Sequence, residues 1–360
     1  MASTTYGVND TLAVKLWARE LAHEAVKATE IFPLIGANSN SVIQEKVETR
    51  KGPGDRVTCG LRMQLAGDGF TENEVAEGNG EALTTYSDNL LLNELGHVVG
   101  VRSENTIDSQ RVPFDLREEA KDGLVDWWAR RISVSFFNQV CGYTLASSTK
   151  YSGLNAVTAP SSGRIIRTTG SDDATVNTST SSILTLTQID QAVEVAKTGG
   201  SAGLPKIRPI RIEGGEHYVM YIHPIQTTSL RAGTTAGQWL DIQKAAMQGG
   251  EVTQNPLFTG ALGMYNNVII RESEQVPNGV SNAGAVQTST RRAVFLGAQA
   301  AGICFGQNSS ESKYRWNEEL YDHKRRLEVS AWSIWGLKKF IWNSKDFATI
   351  VVTSYGVNAI

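Results

Sequence analysis

The stretch "VPFDLREEAKDGLVDWWARRISVSFFNQVCGY" (112–143) constrains the fold more than any other part of this chain. Pro113 suits a first helical turn, and Asp115, Glu118 and Glu119 suit the positive end of a helix dipole. Gly142 suits the stop. Between them Leu116, Ala120, Leu124, Trp127, Trp128, Ile132, Phe136 and Val140 recur at helical spacing and make one long apolar stripe. At 1.5 Å per residue such a helix spans roughly 45 Å. A compact domain rarely needs that length, so the helix reads as the backbone of a flat, wide subunit. Because Trp127 and Trp128 are about 100° apart around the axis, one is expected in the core and the other nearer an edge.

The rest of the chain must be built around that beam. Residues 10–30 read as a shorter amphipathic helix with Asp10 as N-cap and Pro33 beyond its end. From 42 to 111 the pattern is extended: "VIQEKVETR", "RVTCGLRMQL" and "LTTYSDNLLLNELGHVVGV" read as strands. The polar, glycine-rich "AGDGFTENEVAEGNGEA" between them reads as a mobile tip. This excursion holds too few apolar residues for its own core and needs something to lie on. Residues 145–182 read as loop; "LTQIDQAVEVAKTGG" reads as a short helix stopped by Gly199-Gly200, and "AGQWLDIQKAAMQGG" as another. "KIRPIRI", "HYVMYIHP", "RRAVFLGAQAAGICFG" and the tail from 311 supply further strands, so the class is mixed α+β.

Composition excludes several functions. The formal net charge of a 360-residue chain is only −3, with no basic stripe of the kind that grips many phosphates. Arg130-Arg131, Arg291-Arg292 and Lys324-Arg325-Arg326 read as solvated faces or local ion-pair partners. No apolar run approaches a membrane span and the first ten residues lack a signal-peptide pattern. Cys59, Cys141 and Cys304 are scattered and odd in number, which suits a reducing cytoplasm. Catalytic readings fare poorly too. "GGSAG" at 199–203 matches a hydrolase nucleophile elbow centred on Ser201, but a helix precedes it where the chemistry needs a strand. A serine hydrolase is therefore the weaker, different-class alternative. His217 and His223 would lie about 20 Å apart along one strand, too far to share a metal. Paired acids such as Glu118-Glu119 and Glu318-Glu319 read as helix ends or solvated faces. No cofactor, metal or catalytic set is expected.

Taken in order, the segments resemble a known family. "TTYGVNDTLAVKLWARELAHEA", "GDRVTCGLRMQLAGDG", "EGNGEAL", the 112–143 stretch, "VMYIHPIQTTSLR", "NPLFTGALGMYNNVIIRESEQVP" and "RRAVFLGAQAAGICFG" are similar to the major capsid protein of tailed bacteriophages, in the phage N-four branch. The resemblance implies the Hong Kong 97 capsid fold. Its parts would be an N-terminal arm (1–41), an extended loop (42–111), a peripheral domain with the spine helix (112–185), an axial domain (186–310) and a return to the peripheral domain (311–360). It implies an icosahedral shell enclosing double-stranded DNA, built in the bacterial cytoplasm from hexamers and pentamers of this chain. DNA would be near but not specifically read. Portal and decoration proteins are implied partners, and the lack of a coiled coil ahead of the arm implies a separate scaffolding protein. A cellular nanocompartment shell is the alternative within the fold. "NNVIIRESEQ" is expected as an axial strand with Val268 and Ile270 on one face, Ile269 and Arg271 on the other, turned by Gly260 and Gly263 and ended by Pro277. Gly67, Asp68, Gly69, Phe70 and Val75, at the loop tip, are the expected intersubunit contacts, with Phe70 as the anchor.

Overall fold

The computed structural model describes residues 30–47, 54–62, 65, 67–72, 74–75, 77–102, 107, 115–200, 204–212, 215–232, 263–306 and 313–356. The expected helices at 10–30 and 236–250, Pro113 and Gly260 lie outside these residues, apart from Glu30. The first part holds strands β1 (Ile35–Gly36), β2 (Ile43–Lys46), β3 (Arg56–Arg62), β4 (Thr85–Leu91) and β5 (Asn93–Arg102), then helices α1 (Leu116–Val140) and α2 (Thr149–Ser152). Next come β6 (Ile165–Arg167), α3 (Asp173–Thr178), α4 (Leu186–Thr198), β7 (Ile210–Ile212), β8 (Gly215–Ile222) and α5 (Pro224–Ala232). The remainder is β: β9 (Gly263–Tyr265), β10 (Val268–Glu272), β11 (Asn278–Val280), β12 (Val286–Leu296), β13 (Ala301–Phe305), β14 (Arg315–Tyr321), β15 (Arg326–Lys339), β16 (Ile341–Trp342), β17 (Lys345–Asp346) and β18 (Thr349–Tyr355).

Two sheets share α1. One runs β1-β2-β13-β15-β14 with β5 also on β15; the other runs β6-β18-β12-β8-β10-β9 with β7 on β8 and β11 on β12. The helix starts at Leu116 rather than 113, because Asp115 is the N-cap and its carboxylate accepts from Arg117 N at 2.8 Å. Trp128 is fully buried and meets Tyr314 and Trp335 edge-on, with ring centroids 5.0 and 6.3 Å apart. Trp127 is half-buried and stacks flat on His97 of β5 at 4.5 Å. The adjacent pair thus divides between core and edge as their angular offset requires. Further along, Phe137 meets Tyr221 of β8 at 5.3 Å. The apolar stripe therefore widens: every residue from Ser135 to Val140 is buried, where the helix runs between the sheets.

Charge is used to lock the far end of the helix. Gly142 takes φ +63, and a Cβ there would lie 2.6 Å from Pro160 Cδ. Arg292 donates to the carbonyls of Cys141 and Gly142 at 3.3 and 2.8 Å, placing a cation at the negative end of the dipole. Its charge is matched by Asp173, which accepts from Arg292 Nε at 2.8 Å and Arg167 Nε at 2.7 Å. So Arg292 is a buried ion-pair partner, not a solvated face. Glu318 is also buried, accepting from Trp316 Nε1 and Arg117 at 2.8 Å, which corrects its reading as a solvated acid. Asp173 sits in α3, inside the stretch expected to be loop. That stretch also contains α2 and β6; these elements are too short to show a period.

The axial strand is present as β10. Val268 and Ile270 are buried, while Ile269 is half-buried and Arg271 exposed. Its turn is made by Asn266 and Asn267, both in left-handed backbone (φ 45 and 62), which join β9 to β10. The strand stops at Glu272, not at Pro277; Pro277 precedes β11 and its carbonyl accepts from Arg292 N. Sheet membership also cuts across the expected five-part division. β2 and β5 both belong to the first sheet, as does β13, and the last strand, β18, lies in the second.

Candidate assembly surfaces

β3 and β4 form a two-stranded ladder of seven pairs, from Arg56↔Leu91 to Arg62↔Thr85. One face at its base is apolar: Val57, Cys59 and Leu90 pack with Leu92, Phe340 and Trp342 in a small separate core. Asp88 reaches the same place, pairing with Lys338 and accepting from Ile341 N at 3.1 Å. Asn155 then clamps the ladder's end. Its side chain accepts from Leu91 N at 2.9 Å and donates to Leu91 O at 2.8 Å, as a neighbouring strand would. Gln139 of α1 donates to Asn155 O at 2.8 Å. The hairpin's direction is thereby tied to the long helix. Asn155→Ala should cost about 1–3 kcal/mol by stranding those backbone groups. Hydrogen exchange should show faster opening of 56–91, and unchanged protection there would contradict the clamp.

The other end of the hairpin is bare. Gly67, Asp68, Gly69, Phe70 and Val75 are all exposed, Phe70 by 50% and Val75 by 68%. Within the described part of the tip, Gly67 N donates to Glu81, Thr71 N to Glu74, and Asn79 to Val75 O. Sequence alone marked the tip. It missed Asp88, Asn155 and Lys338 at the base, since a polar residue's partner across the fold leaves no local pattern.

The catalytic readings gain nothing from the geometry. Ser201 lies outside the described residues. Among the described residues no group of three His, Cys, Asp or Glu side chains is placed to hold a metal, and no helix is long and apolar enough to cross a membrane. The three cysteines are buried, and burial pushes the Cys141 thiol up to about 12, which removes its nucleophilic form. His217 lies in β8, but His223 lies past its end and opens α5. His223 Nδ1 accepts from Ile225 N at 3.2 Å. Burial, and then the charge of Arg291, push this imidazole from 6.5 down to about 4. The neutral form is the folded one. Its stabilisation is therefore full above pH 6.5 and is lost as pH falls towards 4. His223→Asn keeps a cap acceptor that does not titrate. Its Tm should fall less than the wild type's between those two values; equal slopes would contradict the assignment.

Two sheets on one long helix, with a hairpin anchored at its base and exposed at its tip, define the described part of the subunit. A profile of the phage capsid protein family matches residues 5–360, and the chain belongs to that family. It is 25% identical over 363 residues to the major capsid protein of Pseudomonas phage KPP25, covering 94% of this chain and 93% of that one. Among solved structures it is similar to the capsid of Ralstonia phage GP4, with a TM-score of 0.74, 26% identity and complete coverage of both chains. The capsid of cyanophage Pam1 shares the fold with a TM-score of 0.70 at 20% identity, over 92% of this chain and 93% of that one. The architecture is the Hong Kong 97-type capsid fold, α+β as expected, and the protein is a structural part of a phage capsid rather than an enzyme.

Proposed function

We propose that this chain is the major subunit of a tailed-phage head, assembled as pentamers and hexamers around double-stranded DNA, and that the 56–91 hairpin clasps a neighbouring subunit. In this reading Phe70 and Val75 are the apolar anchors, and Gly67, Asp68 and Gly69 shape the turn that presents them. The observation that carries it is a hairpin firmly anchored at its base by Asn155 and Asp88 yet exposing Phe70 at its tip. A strand pair packed on its own subunit at the base while its tip stays exposed favours a partner outside it for that tip. The six-stranded sheet with α1 corresponds to the peripheral domain and the eight-stranded sheet to the axial domain. Assembly in the host bacterial cytoplasm, a separate scaffolding protein, a portal and decoration proteins complete the reading. Its test is sizing with negative-stain imaging of the chain co-expressed with the other head proteins of its phage. Closed hollow shells are expected. Small discrete oligomers alone would overturn the proposal.

A further inference from the structure

Arg164 leads into β6, and its side chain is fully buried. Arg292, almost as deep, pairs with Asp173 at 2.7 Å. Arg164 has no such partner: among the described residues no carboxylate lies within ion-pair distance of it. Its Nη2 donates to Pro205 O, while Nε and Nη1 are buried and meet no acceptor among those residues. Asp346 is the acid whose charge acts on it, and that carboxylate is already engaged. Its Oδ1 pairs with the buried Lys339 Nζ at 2.9 Å, and its Oδ2 accepts from Ser161 N at 2.9 Å. Two buried cations thus share one buried acid, leaving an excess of one positive charge.

That excess is held where it is hardest to hold. Burial pushes the Arg164 guanidinium from 12.5 down to about 10, and the charge of Asp346 opposes only part of the shift. The group therefore stays charged at neutral pH. A buried charge needs a counter-charge as well as hydrogen bonds. Water can accept from the two N–H groups but does not balance the charge. A neighbouring subunit cannot supply an acid either, because the side chain has no exposed surface. Ser201, Ala202 and Gly203, just ahead of Pro205 in sequence, include no acid.

We infer that the Arg164 guanidinium binds a small monovalent inorganic anion, with chloride as the abundant candidate, where its N–H groups meet no protein acceptor. The single excess charge sets the valence. Full burial favours a small ion over phosphate or sulfate. The place gives the ion a structural role. Arg164 enters the eight-stranded sheet through β6, Lys339 ends β15 of the six-stranded sheet, and Asp346 lies in β17. The anion therefore ties the seam between the two sheets.

The test compares sodium chloride with sodium gluconate at equal ionic strength, gluconate being too large for a buried site. Dissociated full-length subunits should melt about 2 °C or more higher in chloride, and the rise should follow a binding curve. Amides of 159–165 and 345–349 should exchange more slowly in chloride. Well above the dissociation constant, each tenfold rise in chloride should slow them about tenfold, since opening there releases the ion. Arg164→Met keeps the bulk, removes the charge and should erase both differences. Lys339→Gln keeps Arg164 but removes the excess charge, freeing Asp346 to neutralise it, so chloride affinity should fall at least tenfold. Wild-type subunits that do not distinguish chloride from gluconate would overturn the site and leave water alone on these N–H groups. Chloride sensitivity that survives in Arg164→Met would put the ion elsewhere and overturn it equally. Should Arg164→Met not fold, undiminished chloride affinity in Lys339→Gln would overturn it. So would wild-type protection that chloride raises evenly along the chain rather than in those two segments.

Discussion

Trp128→Ala is expected to cost the subunit about 3–5 kcal/mol, against a smaller loss for Trp127→Ala. The two side chains are adjacent, chemically identical and on one helix, so their difference isolates what burial does. Trp128 is fully buried among Tyr314, Trp335 and Trp127. Its indole Nε1 finds no hydrogen-bond acceptor among the described residues, so its contribution is packing. Truncation leaves a large cavity where α1 crosses the six-stranded sheet, and the surrounding rings are held from several sides and collapse poorly. Trp127 lies at the rim, between the His97 ring and the Arg131 guanidinium, and water can enter when it is removed. Denaturant unfolding of dissociated subunits measures both. Equal losses, or two variants as stable as wild type, would show that α1 is not the beam on which the subunit is built.

Replacing residues 68–80 with a short Gly-Ser turn should leave the subunit folded and stop closed shells from forming. The segment removes no core: the hairpin's apolar contacts are at Val57, Cys59 and Leu90, beyond the excised residues. What it removes is the exposed Phe70 and Val75 and most of the tip's acidic charge. Interface energy concentrates in a few apolar or aromatic anchors, so loss of both is felt by every contact the tip makes. If each subunit repeats the proposed contact, the loss is multiplied across the shell. Circular dichroism and particle sizing separate the outcomes. Folded protein that still builds shells of normal size and heat resistance would show that the tip clasps nothing. Protein that no longer folds would show that the tip belongs to a core.

The parts of this fold that were legible in the sequence are those whose cause is local. α1 announces itself through a cap at Asp115, a long period and a stop at Gly142. β10 does so through alternation, with Val268 and Ile270 inward. The helix stop at Gly199, left-handed at φ 88, is local in the same sense. What failed has a distant cause. β2 pairs in parallel with β13, Ile43 against Ala301, and nothing near Ile43 states that partner. Read locally, β2 and β5 looked like the flanks of a free loop, whereas β5 in fact lies along β15 for ten pairs. Asp173 looked like one more polar residue in a Ser- and Thr-rich stretch; only the fold brings Arg167 and Arg292 to it. For the assembly surface, the tip could be seen because glycine and acid cluster in sequence. Its anchor could not, since Asn155 and Lys338 come from separate parts of the chain.

The hairpin, anchored on its own subunit at Asp88 and Asn155, is proposed to extend across a neighbour. Electron cryo-microscopy of the assembled particle, at a resolution that traces side chains, tests it most directly. Density for 67–81 is expected on an adjacent copy, with Phe70 covered by that copy's residues. A reconstruction in which every tip points into solvent, or contacts only its own subunit, would contradict it.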